Sequence, residues 1–144
     1  MNDQLKPPGQ ILLSEKQIQN RIEELGQQIT KDYENKAPLL IGVLKGAFIY
    51  MADLARAISL PIEFDFMAVS SYGNATKTSG VVRIVKDLDI DLSGRDVIVV
   101  EDIIDSGLTL NYLRKNLESR GPTSLEVCAL LVRSGRQAGE LGLT

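Results

Sequence analysis

The sequence predicts an α/β domain built around a mostly parallel sheet. Two short apolar runs without helical alternation, residues 39–44 and 97–100, have the composition of strands covered on both faces. Helical patterns alternate with these and with further strand patterns along the chain, which is the order of strand–helix–strand units. Sheets of that kind take their ligands at the carboxyl ends of the strands.

Each element has its own local cause. Ser14 followed by Gln17 fits a capping box, and Ile18, Ile22, Leu25 and Ile29 then share one face of an opening helix. Pro38 precedes the first apolar strand, and Lys45-Gly46 interrupts it. Residues 47–58 return to helical spacing with Phe48, Met51, Leu54, Ala55 and Ile58, until Pro61 breaks the pattern. Ile62, Phe64, Phe66 and Ala68 alternate with Glu63, Asp65 and Met67, so a strand is expected here with the second set on its wetter face. Residues 70–80 are rich in Ser, Thr and Gly and long for a hairpin, as lids often are. Alternation resumes over 81–86, Ser93-Gly94-Arg95 turns, and the second apolar strand covers 97–100 and ends in two acids. A helix over about 108–119 carries Leu110, Leu113 and Leu117 before Gly121-Pro122 stops it, and 125–131 is the last strand.

Composition bounds the chemistry. A chain of 144 residues suits a single domain, expected over 1–144, and 44% apolar with 24% charged residues argues against disorder. With no histidine, Ser-His-Asp triads and HExxH zinc sites are excluded, so proton transfer falls to carboxylates, Lys or Tyr. Cys128 alone can form neither an internal disulfide nor a cysteine zinc cage, which suits a reduced compartment. The apolar stretch 37–52 is broken by Lys45 and too short for a bilayer, and the first ten residues lack a signal-peptide core. These features predict a cytoplasmic protein without a membrane partner. A net charge of −3 weighs against nucleic acid as a partner.

Residues 99–109 concentrate the chemistry. A buried strand delivers Glu101 and Asp102 at its end, and a loop of Asp105, Ser106 and Gly107 then runs into a helix starting at Leu108-Thr109. The start of that helix offers unpaired N–H groups and the positive dipole end, Gly107 allows close approach, and Ser106 and Thr109 add hydroxyls. The two acids suit sugar hydroxyls or, through water, Mg²⁺. The pattern fits a phosphorylated sugar. Spacing alone equally fits a helix capped by Asp105 or Ser106 beside two solvated acids. Neither GxxxxGK[ST] nor a helix-opening GxGxxG is present.

The same segment resembles the phosphoribosyl-pyrophosphate signature of the type I phosphoribosyltransferases. Leu44-Lys45-Gly46-Ala47-Phe48 is similar to the pyrophosphate loop of that family's hypoxanthine-guanine branch, and Ser70-Ser71-Tyr72-Gly73 to its mobile lid. Taken together, the resemblance covers about 11–136. It implies the family's type I fold and a transfer of the 5-phosphoribosyl group from phosphoribosyl pyrophosphate to hypoxanthine or guanine, with Mg²⁺ as the metal. By the same resemblance, Glu101 and Asp102 would hold the ribose hydroxyls and metal-bound water, and Ser106, Gly107, Leu108 and Thr109 the 5-phosphate. Asp105 would handle the proton at purine N7, Leu44, Lys45 and Gly46 would bind pyrophosphate around a cis Leu44–Lys45 peptide, and Ser71 and Tyr72 would close over the centre. Homodimers or homotetramers are implied as well.

Two departures bear on specificity. Arg133 stands where the family uses a lysine against the purine's exocyclic oxygen, and an Arg fork is bulkier and differently aimed. Residues 137–144 carry no aromatic ring to stack on a purine, so a domain incomplete at its C-terminal side is expected, with an unstructured tail over 138–144. Two other readings stay open: a regulatory protein that binds the donor or a nucleotide without turnover, and a xanthine or adenine transferase sharing the phosphate motif.

Overall fold

The Ser14 hydroxyl accepts from the Gln17 N–H at 3.1 Å while the Gln17 side chain accepts from the Ser14 N–H at 2.8 Å, and this reciprocal cap starts helix α1, Glu15–Asp32. The computed structural model describes residues 12–71 and 82–133, with Ser71 described by its backbone alone. Strand β1, Leu39–Leu44, and helix α2, Phe48–Arg56, follow α1. Strands β2, Glu63–Ser71, β3, Val82–Lys86, and β4, Asp96–Ile104, come next, and helix α3, Leu108–Glu118, leads to strand β5, Ser124–Val132. No helix among the described residues is long and apolar enough to cross a membrane.

The sheet order is β3-β2-β1-β4-β5, with every pairing parallel except that of β2 with the edge strand β3. Period-two alternation splits the central strands between two cores. Leu39, Ile41, Val43, Val97 and Val99 pack with Leu110, Leu113 and Leu117 of α3 on one face. Leu40, Ile98 and Val100 pack with Ile22 and Ile29 of α1 and Tyr50, Met51 and Leu54 of α2 on the other. Both faces of β1 and β4 are thus covered, as their uninterrupted apolar runs require. Each fully buried Leu or Ile here contributes roughly 1.5 to 3 kcal/mol of transfer free energy.

Two sequence expectations need correction. On β2 two of the three residues expected on the wetter face are buried, Met67 fully and Asp65 at 5% exposed, while Glu63 is exposed as expected and Phe64 of the other set is 45% exposed. Leu88, Ile90 and Leu92 of the β3–β4 connection cover that face. Asp65 is tolerated there because its Oδ2 accepts from the N–H groups of Asp89 and Ile90 at 2.8 and 2.9 Å. Alternation says which residues share a face, not which face another segment will cover. Strand β4 also runs four residues past Val100, because β5 pairs with it as far as Ile104↔Val132. The expected tail over 138–144 lies outside the described residues.

The topology decides where a ligand fits. From β1 the chain crosses through α2 to β2 on one side, and from the neighbouring β4 it crosses through α3 to β5 on the other. The two crossovers diverge between β1 and β4, and divergence of this kind opens a crevice at the strands' carboxyl ends.

Candidate functional site

One wall of the crevice comes from β1. Beyond Leu44 the chain turns through a cis Leu44–Lys45 peptide, as the sequence resemblance implied. Lys45 and Gly46 are exposed, Ala47 is buried, and α2 begins immediately after. Gly46 lies against Asp102: a Cβ placed on it would be 3.0 Å from Asp102 Oδ2 and 3.2 Å from Oδ1. The loop after β1 and the acids of β4 are therefore in direct contact.

The other wall is the end of β4 and the start of α3. Glu101, Ile103, Asp105, Ser106, Gly107 and Thr109 line a cavity of about 230 Å³. Gly107 sits before α3 with φ of 81°, a left-handed conformation that suits glycine, and no side chain of its own caps the helix. The Ser106 hydroxyl accepts from the Leu108 N–H at 3.3 Å in a turn that precedes the helix without capping it, and the Asp105 carboxylate accepts from Arg133 instead. The remaining N–H groups of the first turn lack intrahelical acceptors by construction and, with the helix dipole, favour an anion.

Glu101 and Asp102 are consecutive in the last residues of β4, and the two carboxylates feel each other's charge. Glu101 lines the cavity, while Asp102 meets Gly46 and accepts from the Ile103 N–H at 2.8 Å. Burial, with the adjacent Asp102 carboxylate, pushes the Glu101 carboxyl up to about 7. Two acids without a cation partner among the described residues leave negative charge that a bound cation would relieve. No group of three His, Cys, Asp or Glu gathers among the described residues. That donor set fits Mg²⁺, which takes one or two carboxylates and completes its shell with water and phosphate oxygens.

Arg133 ends β5 beside Asp105, with its Nη1 donating to Asp105 Oδ1 at 2.7 Å. The structure thus brings Glu101, Asp105, Ser106, Gly107 and Thr109 together around one cavity and sets Arg133 against Asp105 and Gly46 against Asp102, while Lys45 and Leu108 adjoin these residues in the chain. Ser71 closes β2, and its lid partner Tyr72 lies outside the described residues. Sequence reasoning passed over Ile103, which lines the cavity and is 53% exposed. Its one signal was an apolar residue set among acids, in Glu101-Asp102-Ile103-Ile104-Asp105.

Comparison with known proteins agrees with this arrangement. Residues 10–141 match the family described as the phosphoribosyl transferase domain. A hypoxanthine-guanine phosphoribosyltransferase of Mycobacterium bovis is 59% identical over 133 residues, covering 86% of this chain and 66% of the relative. One of Bacillus subtilis is 51% identical over 129 residues, covering 89% of this chain and 72% of the relative. The crystal structure of a hypoxanthine-guanine phosphoribosyltransferase from Bacillus anthracis superposes with a TM-score of 0.85 at 44% identity, covering 92% of this chain and 78% of that one. The chain spans just under two thirds of the length of the mycobacterial relative. A doubly wound sheet with this crevice, joined to sequence identity at that level over most of its residues, shows that the chain belongs to the phosphoribosyl transferase domain family.

Proposed function

We propose that this chain carries the catalytic crevice of a purine-salvage phosphoribosyltransferase of the hypoxanthine-guanine type. The reaction moves the 5-phosphoribosyl group from phosphoribosyl pyrophosphate to a ring nitrogen of hypoxanthine or guanine, yielding IMP or GMP and pyrophosphate. The observation that carries this reading is the contact of Gly46 with Asp102, which joins a loop suited to a diphosphate to the acids beside a phosphate-binding helix start.

Charge develops at two places in such a transfer: positive on the ribose as its bond to pyrophosphate lengthens, and negative on the departing pyrophosphate. Glu101 and Asp102 would face the ribose hydroxyls and stabilise the first. Ser106, Gly107, Leu108 and Thr109 would hold the 5-phosphate by backbone N–H and hydroxyl groups, fixing the sugar for in-line attack. Leu44, Lys45 and Gly46 would cradle the pyrophosphate, with the Lys45 ammonium meeting its charge. Asp105 would accept the proton from purine N7, work a carboxylate can do in a chain without histidine. Arg133 would donate to the exocyclic oxygen of the base, and Ser71 and Tyr72 would exclude water from the activated sugar. Mg²⁺, held through Glu101, Asp102 and water, supplies electrostatic neutralisation of the diphosphate when bound. The same reading makes the protein a cytoplasmic homodimer or homotetramer, a compartment that suits its free Cys128.

The test is a product assay with phosphoribosyl pyrophosphate, Mg²⁺ and, in turn, hypoxanthine, guanine, xanthine and adenine. IMP and GMP are expected. No nucleotide from any base, alongside calorimetric binding of the donor, would favour a regulatory binder. Absence of donor binding would remove the site itself.

A further inference from the structure

Among the described residues a glycine lies inside a strand at one place only, Gly42 of the central strand β1. Glycine weakens a strand interior, and its presence there often marks a close approach by another group. Here the approaching group is Met51 of α2. A Cβ on Gly42 would stand 2.5 Å from Met51 Sδ and 3.2 Å from the Phe66 ring, so the buried thioether fills the space a side chain would need. Met51 thereby seats α2 directly on the strand, two residues before β1 ends at Leu44. The far end of the helix is seated as tightly. At Gly26 of α1 a Cβ would be 2.4 Å from the Ala57 Cβ and 2.6 Å from the Ala57 carbonyl oxygen, and close-packed backbone of this kind yields little. Lys45-Gly46-Ala47 join β1 to the near end of α2 and are tied to its first turn. The Phe48 N–H donates to the Lys45 carbonyl at 3.3 Å, and the Met51 N–H to the Ala47 carbonyl at 2.8 Å. Met51 and the loop therefore move together.

We infer that Gly42 is a positioning residue for the loop after β1, setting through Met51 how closely Lys45-Gly46 approach Asp102; this rests on the reading of that loop as the diphosphate cradle given under the proposed function. The lever is mechanical. A side chain at 42 pushes Met51 away from the sheet, and with Ala57 packed against Gly26 the displacement goes into the N-terminal turn of α2. Lys45 and Gly46 are carried with that turn. Gly46 lies against the Asp102 carboxylate, so the gap that opens separates the diphosphate cradle from the acids of β4. Helix α3 packs on the opposite face of the sheet from α2, so Ser106, Gly107 and Thr109 at its start stay in place. A donor that spans both walls of the crevice loses contacts, whereas a nucleoside 5′-monophosphate, having no diphosphate, keeps its own.

Comparing two ligands separates this device from a fault in folding. Phosphoribosyl pyrophosphate with Mg²⁺, and separately IMP, are titrated calorimetrically into the full chain, Gly42→Ala, Met51→Phe and the double variant Gly42→Ala with Met51→Ala. Thermal melts establish that each is folded. Gly42→Ala should weaken the donor about tenfold and IMP by less than about twofold, because a small misplacement is felt only by the ligand that the misplaced group touches. Met51→Phe crowds the same contact from the helix side, so it should give the same split, and it carries the test if Gly42→Ala does not fold. The double variant removes the thioether that the new methyl group meets. Its donor affinity should return to within about threefold of the unsubstituted chain even as its melting temperature falls, since residues in contact are not additive. A merely structural role would weaken both ligands alike or follow the melting temperature across the variants, and either result overturns the inference. Unchanged donor affinity in the folded single variants, or no recovery in the double, overturns it as well, while donor binding by the unsubstituted chain leaves the functional reading standing. An unsubstituted chain that binds neither ligand defeats that reading and this inference with it.

Discussion

Gly46 and Asp102 lie on different strand ends and meet with no room between them: a Cβ on the glycine would stand 3.0 Å from one carboxylate oxygen and 3.2 Å from the other. The contact makes the identity of residue 46 a condition on the placement of an acid far along the chain. Gly46→Ala should therefore push Asp102 out of position while leaving the core untouched. With Asp102 moved by even a few tenths of an ångström, donor affinity in the presence of Mg²⁺ should fall by roughly tenfold, about 1.4 kcal/mol. Calorimetry of the folded variant checks this, and unchanged affinity would show that Asp102 is not set by the glycine.

Gly107 carries a second conformational requirement. Its φ of 81° lies in the left-handed region immediately before α3. Gly107→Ala should cost about 1 to 2 kcal/mol from that conformation and place a methyl group at the cavity that Ser106 and Thr109 line. Inorganic phosphate and phosphoribosyl pyrophosphate should both bind more weakly. A variant that loses stability but binds both at wild-type affinity would show that the cradle lies elsewhere.

Asp65 yields a prediction about stability alone. Its carboxylate accepts from the N–H groups of Phe66, Asp89 and Ile90 at 2.8, 2.8 and 2.9 Å while almost fully buried. Asp65→Ala strands those donors and should destabilise the chain by about 2 to 4 kcal/mol. Urea denaturation measures it, and a loss below about 1 kcal/mol, the worth of one ordinary hydrogen bond, would mean that water replaces the carboxylate.

Alkaline pH should unfold the protein through three groups. Burial, with the neighbouring Cys128 thiol 3.2 Å away, pushes the Tyr50 hydroxyl well above its ordinary range. Burial likewise pushes the Cys128 thiol above its ordinary value of 9.0. Burial, with the Glu126 and Asp96 carboxylates, pushes Tyr33 up to about 12. Since each folded value is raised, the unfolded chain gives up these protons first as the pH climbs. The contribution is fully present below about pH 9 and is lost as the pH rises toward 12. Melting temperature should fall over that window, and less steeply in Tyr50→Phe and Cys128→Ala. A flat profile in the unsubstituted chain would contradict the assignment.

Several features were legible before any coordinates. Ser14 and Gln17 announced α1, the unbroken apolar run of β1 announced a strand covered on both faces, and residues 99–109 announced the crevice. These signals are local: capping needs partners three residues apart, and periodicity needs only one element's worth of sequence. The acids' pattern and the two further motifs were also enough to show the family resemblance.

Tertiary structure decided the rest. The burial of Asp65 depended on where the β3–β4 connection came to lie, and the extension of β4 to Ile104 depended on β5 arriving beside it. The pairing of Arg133 with Asp105 and the seating of Asp102 on Gly46 likewise join residues from separate strands. Strand order and crossover direction set such contacts, and neither is written in the period or the caps of any single segment. The sequence by itself determined which residues could do chemistry; the fold determined which of them stand together, because proximity between distant segments exists only once the sheet has been assembled.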